Sequence, residues 1–301
     1  MTAIRITRAS PLTTLQDAGR FGYLRHGISA SGPMDRAAYN RAGTWLGGAG
    51  STAIEFTRTG IGLAVEGGSL AASCDGGSFS LHHNGKAMNW PARLTLQDGD
   101  VVEIAPGADG NYGYIRFDHE VDVPLLLGSR STNLVAGLGG LEGRALRKGD
   151  RLELGAQSKR AMSQHPRAVG TEPLPIRFIW GLHADLFGED VRQSFVVGSF
   201  VVSQRIDRMG ARLEDRTGVF AGSPILSLVS DAVVPGDIQI LGDGTPIVLM
   251  RDHQPTGGYP RIGTVIEADL DRMVQLRPGA EVSFEPIRLS KAHALLTAGA
   301  Q

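Results

Sequence analysis

The feature that most restricts this chain is a recurring short run of alternating apolar and polar residues, closed at its ends by glycine, aspartate, asparagine or proline. Ile61, Leu63 and Val65 set the pattern, and residues 78–81, 93–96, 101–104 and 112–117 give further strands of this kind. Alternation of period two puts the apolar side chains on one face of an extended strand. Strands this closely spaced leave no room for the crossover helices that parallel pairing needs. Antiparallel strands in a barrel or sandwich are therefore expected. Composition matters here at one point. The 41 glycines among 301 residues are about twice ordinary usage, yet 42% of residues remain hydrophobic, which favours a turn-rich β protein over a disordered chain.

Ile4 and Ile6 suggest a first strand, and the β pattern resumes in the second half at 176–180, 195–202, 238–240, 246–250 and 262–267. A short helix is expected over 269–276, and a final one capped by Ser290, running through Ala298 and stopping at Gly299. A leucine, a glycine-bearing turn and a new alternating stretch recur at 96–104, 146–154 and 276–284. Either two similar β domains or one common turn used repeatedly accounts for them. Around 161–175 the apolar period is lost to Ser, Arg, Gly and Pro, so the reading is an N-terminal lobe over 1–160, a linker over 161–175 and a C-terminal lobe over 176–301.

A formal net charge of −1, with 20% charged residues, gives no electrostatic signal for nucleic acid or an anionic membrane surface. The N-terminus lacks a signal-type apolar region and no run is long enough to span a bilayer, so a soluble cytoplasmic protein is expected. The single cysteine, Cys74, excludes an internal disulfide and a cysteine-based zinc cluster; it reads as a small buried thiol at a strand end. There is no GxxxxGK[ST] loop, HExxH or CxxC pair. His82 and His83 would point to opposite faces of a strand, and no metal site is expected.

Polar chemistry concentrates in two stretches. The first, within 13–55, packs Gln16, Asp17, Arg20, Arg25, His26, Ser29, Ser31, Asp35 and Arg36 between glycines and Pro33. It runs into a helical period of Met34, Ala37, Ala38, Ala42, Trp45 and Leu46, with Pro33 placed for a first turn and Asp35 for the positive dipole end. Such a loop either braces itself or presents a helix start to a carboxylate or phosphate. The second stretch, 252–261, follows an apolar strand. There His253 could work as an acid or base, Gln254 and Thr256 could orient an amide, Gly257 and Gly258 allow close approach, and Tyr259 could form a wall. Arg130, Arg144 and Arg208 stand in glycine-flanked loops, and guanidinium forks suit carboxylate, phosphate or bicarbonate. Pairing with Glu142, Asp150 or Asp207 is the alternative for each; for the three together, an anion-binding role is favoured.

The stretch QDAGRFGYLRHGISASGPMDR at 16–36 resembles the N-terminal signature of the allophanate hydrolase subunit 2 family. That family includes the C subunit of 5-oxoprolinase, KipA-type proteins and half of the carboxyltransferase domain of urea carboxylase. GSRST at 128–132, GGLEGR at 139–144, DRMGARL at 207–213, PGDIQ at 235–239 and TGGYPR at 256–261 follow in the family's order. The resemblance implies a mainly β fold of two cyclophilin-like β-barrel lobes with a few short helices. It also implies one component of an ATP-dependent 5-oxoprolinase, which hydrolyses the lactam C–N bond of 5-oxoproline to give glutamate. Partners would be a protein like the B subunit of that enzyme (KipI-like) and one like its A subunit, with ATP shared among them. Asp17, Asp35 and His253 are the catalytic candidates. Gln16, Arg20, Ser31, Arg36, Arg130, Arg144, Arg208, Gln239, Gln254, Thr256, Gly257, Gly258 and Tyr259 are the candidates for holding substrate or phosphate. Two other readings remain: a carboxyltransferase acting on urea or a related amide with biotin carried by another protein, and a KipA-like regulatory protein without catalysis. The chain departs from the family at Pro255, in QPTGGY where QTTGGY is usual, at Gly43 and Gly48, and at Leu182-His183.

Overall fold

The computed structural model describes residues 2–47, 50–157, 175–222 and 227–298. Two compact units emerge, Met1–Gly22 with Ala30–Val169 and Tyr23–Ser29 with Gly170–Gln301. All but the last residue of the expected linker lies outside the described residues, as do Gly48 and Gly299.

The first unit carries β1 (Ala3–Arg8), β2 (Thr14–Gln16), β3 (Ala53–Thr57), β4 (Ile61–Glu66), β5 (Ser69–Gly76), β6 (Phe79–His83), β7 (Lys86–Met88), β8 (Ala92–Gln97), β9 (Val101–Pro106), β10 (Tyr112–Phe117), β11 (His119–Val121) and β12 (Arg151–Gln157), with helix α1 (Arg36–Trp45). They form a seven-stranded sheet in the order β11-β12-β1-β4-β9-β6-β7 and a five-stranded sheet in the order β2-β3-β10-β5-β8. Every pairing in the two is antiparallel. Ile4, Ile6, Leu63 and Ile104 from one sheet and Ile54, Phe56, Leu94 and Ile115 from the other share one core. Each such side chain contributes roughly 1.5–3 kcal/mol of hydrophobic stabilisation.

The second unit carries β13 (Ile176–Trp180), α2 (Glu189–Val197), β14 (Phe200–Ile206), β15 (Gly210–Glu214), β16 (Asp231–Ala232), β17 (Asp237–Ile240), β18 (Pro246–Leu249), β19 (Thr256–Gly257), β20 (Arg261–Val265), α3 (Glu267–Gln275), β21 (Glu281–Val282), β22 (Phe284–Pro286) and α4 (Leu289–Ala298). Its main sheet runs β21-β14-β15-β18-β17-β20-β13-β22, and β16 and β19 pair separately as a two-stranded ribbon. An aromatic core of Phe178, Phe195, Phe200, Phe220 and Phe284 holds it, Phe195 stacking on Phe284 at 5.0 Å. The chain is thus mainly β, with a nearly closed, barrel-like sheet and short helices, as expected.

Several local expectations need correction. Residues 195–197 are helical: Gly188 caps α2, Glu189 and Asp190 favour its positive end, and the turn docks Phe195 into the aromatic core. The strand begins only at Phe200. Pro33 and Met34 precede α1, because the Asp35 side chain accepts from Ala38 N–H and so fixes the cap there. Ser290 lies inside α4, whose first amides bond back to the Arg288 carbonyl. Strand β20 ends at Val265 so that α3 can start at Glu267. Cys74 sits within β5, not at its end; burial, with Asp75 beside it, pushes its thiol pKa up to about 12.

Candidate functional site

The polar loop of the first unit is closed on itself. Strand β2 delivers Asp17 into a ring of donors: the Ser129 and Ser131 hydroxyls at 2.6 and 2.7 Å, and the Arg130 and Gly19 amides at 2.6 and 3.0 Å. Burial pushes this carboxyl up, but the four hydrogen bonds outweigh it and hold its pKa below the ordinary carboxylate value. An anion so stabilised is a poor proton acceptor. Gln16 is equally committed, donating to Thr14 Oγ1 and the Thr132 carbonyl and accepting from Gly32 N–H. Arg20, 1% exposed, spends its guanidinium on the carbonyls of Leu126 and Ser131.

The helix start expected to receive an anion already has carboxylates of the chain's own. Asp35 caps α1, Glu55 accepts from Met34 N–H at 2.8 Å, and Tyr114 bridges, donating to Glu55 and accepting from Asp35 N–H. Asp35 therefore serves as a cap, contrary to its expected catalytic part. Ser31 is held at φ +56° and buried, while the Arg36 guanidinium lies 6.0 Å from the Phe21 ring centroid.

The three loop arginines are also engaged with groups of the chain itself; for Arg144 these are the partners that the alternative reading expected. Arg144 forks onto Asp150 at 2.7 and 3.0 Å and reaches Glu142. Arg130 donates to the Val123 carbonyl and lies 3.6 Å from Glu120. Arg208 forks onto Asp252, both partners buried, so that the DRMG turn is tied to the 252–261 stretch.

The second unit offers open space. In its main sheet Arg212, Ile247 and Gln239 are successive cross-strand partners on β15, β18 and β17. Ala211, Val248 and Ile238, one residue away on each strand, face the core. The pleat thus divides these strands, one face packed and the other flooring a cleft of about 580 Å³. Tyr259 and Gln254 line the cleft as well, and the pairing of β17 with β20 shifts register between Ile238 and the buried Gln239. Gln254 Nε2 donates to Gln239 Oε1 at 3.3 Å, and Gln239 Nε2 approaches the Tyr259 carbonyl at 3.5 Å. A β-carbon at Gly257 would meet Gln239 Nε2, so that a larger residue there would have to push the Gln239 amide aside.

Thr256 and Gly257 pair with Asp231–Ala232, and the Gly258 carbonyl accepts from Leu228 N–H, so this segment is a supporting ribbon. His253 is 4% exposed. Its Nδ1 lies 2.7 Å from the Gln254 carbonyl and must therefore carry the proton, leaving Nε2 as the basic nitrogen. Burial lowers its pKa, the Gln254 bond opposing only in part, so the ring is neutral at pH 7. His183, at a position of family departure, accepts from Arg261 N–H through Nδ1.

Sequence reading passed over Arg205 and Arg212, which line the cleft. A signal for Arg212 was available: it is a charged residue between Ala211 and Leu213, both buried, and so had to emerge on the opposite face.

One face of this sheet is packed and the other floors a cleft lined by amides and cations on a mainly β scaffold. The chain belongs to the family described as carboxyltransferase domain, subdomain A and B, whose model matches residues 26–286. It is 34% identical over 295 residues to the C subunit of 5-oxoprolinase from Escherichia coli, covering 96% of this chain and 93% of that one. It is likewise 34% identical to the corresponding C subunit from Haemophilus influenzae, over 93% of this chain and 89% of that one. The crystal structure of the K. lactis urea amidolyase superposes with a TM-score of 0.86 and 26% identity, covering 99% of this chain and 19% of that much longer one. No helix among the described residues is long and apolar enough to cross a membrane.

Proposed function

We propose that this chain is one component of an ATP-dependent 5-oxoprolinase, which with A-like and B-like partners opens the lactam ring of 5-oxoproline to glutamate. The observation that carries the reading is 34% identity to the C subunit of a 5-oxoprolinase across nearly the full length of both chains. The cleft supports it. A lactam presents a carbonyl and an N–H on one edge, and the half-buried Gln254 amide, held from behind by the buried Gln239, is the group of the cleft suited to that edge. Apolar Leu241, Ile247 and Leu249 suit the ring methylenes.

A lactam carbon is a poor electrophile; phosphorylation of its oxygen by ATP would activate that carbon to attack by water, the ring C–N bond breaking with a proton passing to the nitrogen and the phosphate being released by hydrolysis to leave glutamate. His253 holds Nδ1–H against the Gln254 carbonyl and keeps Nε2 free of a proton at neutral pH, the state required of a base that orients water. Arg205 and Arg212 are cations of the kind that can meet a phosphate or a carboxylate. The test is 5-oxoproline-dependent ATP hydrolysis by the chain alone and assembled with the products of neighbouring genes. Activity confined to the assembly is expected, and a well-formed assembly without activity overturns the reading.

Similarity to the urea amidolyase favours a second reading, carboxyl transfer to urea or a related amide with biotin borne by another protein. The Gln239–Gln254 amides suit a ureido group too. Carboxybiotin-dependent transfer by the chain would establish it.

A further inference from the structure

We infer that Arg212, with Arg205 beside it, makes one end of this cleft a carboxylate-binding site, so that the ligand is a small cyclic amide bearing an acid group. The amide's identity rests on the 5-oxoprolinase reading; the ligand's charge does not. The arginines of the second unit that are buried are all paired with carboxylates: Arg208 with Asp252, Arg251 with Glu267, and Arg261 with Asp231 and Asp237. Among the described residues, Arg205 and Arg212 form no ion pair and donate no side-chain hydrogen bond, although both border the same cleft.

Nearby acids do not claim them. Glu214 pairs with Arg216, Asp215 accepts from Phe220 N–H, and Asp207 accepts from the amides of Met209 and Gly210. Asp243 is held low in pKa first by its hydrogen bonds from Thr245, and the Arg212 charge adds to this only at a distance. The cleft is thus bordered by two arginines, Arg205 exposed and Arg212 half-buried, that are not neutralised by a carboxylate among the described residues.

Their position sets the ligand's length. Arg212 and Gln239 lie in register two strands apart with Ile247 between them, a Cα separation of about 10 Å at the usual strand spacing. A five-membered ring lying over Ile247 would direct an amide edge to the Gln254 amide that sits on the buried Gln239, and an attached carboxylate to the Arg212 fork, whose two parallel N–H groups match two oxygens. A neutral molecule such as urea leaves those donors unanswered. Arg212 is on this view a specificity-determining residue.

The experiment is calorimetric titration of the full chain, and of its assembly with partners, using 5-oxoproline, its uncharged analogue 2-pyrrolidinone, and inorganic phosphate. Wild type and Arg212→Met are compared, with unchanged melting as the control for folding and Arg212→Lys as a partial rescue. At least tenfold tighter binding of 5-oxoproline than of the neutral lactam is expected, with Arg212→Met removing that preference. In the assembly, Arg212→Met should raise KM for 5-oxoproline more than it lowers kcat. Equal binding of the two lactams, no binding of either, or a preference that survives Arg212→Met overturns the inference. Phosphate binding that competes with 5-oxoproline and depends on Arg212 reassigns the cations to a phosphate and also overturns it. If the wild-type assembly lacks 5-oxoproline-dependent ATP hydrolysis but the Arg212-dependent preference persists, the proposed function fails and this inference stands. If hydrolysis continues with KM unchanged in Arg212→Met, the reverse holds.

Discussion

The polar loop around Asp17 and the cleft beside Gln239 look equally rich in chemistry when read as sequence, yet they differ in what is left over. In the first, one carboxylate takes four hydrogen bonds and the neighbouring Gln16 and Arg20 are spent on backbone groups. In the second, Arg208 and Asp252 pair with each other and Gln239 is buried and engaged by Gln254 and Tyr259, while Gln254 and Arg212 are partly exposed at the cleft. A density of polar residues therefore marks either a brace or a site. Only the count of unspent donors and acceptors separates them.

The strongest way to break this contrast is Asp17→Ala. It strands four donors in a buried loop and should lower unfolding free energy by about 4 kcal/mol in urea titrations. Because the folded-state pKa of Asp17 is depressed, its contribution is fully present above the unfolded value of about 3.9 and is lost as pH falls through the folded value. The gap between variant and wild type should accordingly narrow in strong acid. A gap that is small at pH 7 would mean that the loop is not a brace.

Arg208→Ala should cost about 3 kcal/mol by leaving Asp252 buried without its partner. Loss of binding in the cleft at temperatures where the fold survives would show that the pair also shapes the site. His253→Gln sharpens the comparison from the other side, with turnover by the assembly expected to fall about 100-fold while melting changes little. In the wild type, the acid limb of kcat/KM should lie below the ordinary histidine value of about 6.5, since burial lowers this pKa. A limb at or above that value removes His253 as the base. The smallest effect is expected from Gly257→Ala, which forces Gln239 aside at about 1–2 kcal/mol and should weaken lactam binding more visibly than stability.

Residues 176–180, which alternate, match β13 end to end; residues 112–117 match β10 end to end although that strand is buried throughout, its aromatic residues and Ile115 marking it instead. Strands β3 and β5 escaped notice because their residues are buried on both faces or small, which erases the period of two. Residues 195–197 were misread because an apolar run fits a strand or a docked helix equally well, and only the aromatic core chooses. Among site residues, Gln239, Gln254 and Tyr259 do meet at one cleft. Glu142 and Asp150, near in sequence, were legible as alternative partners of Arg144 and are the ones it takes, whereas the partner of Arg208 was not, since a guanidinium in a loop gives no sign of which distant carboxylate the fold will bring to it. For Arg208 that partner lies 44 residues away.

The pleat of β15, β17 and β18 has a consequence for descent. Neighbouring positions such as Ala211 and Arg212, or Ile238 and Gln239, answer to different demands although they are adjacent in the gene. Exchanges on the cleft-facing side of the pleat leave the packed side untouched, so the lining of the cleft can change while the core-facing side preserves the scaffold. The same architecture recurring in proteins named for 5-oxoproline and for urea is what such a separation of inheritance would produce.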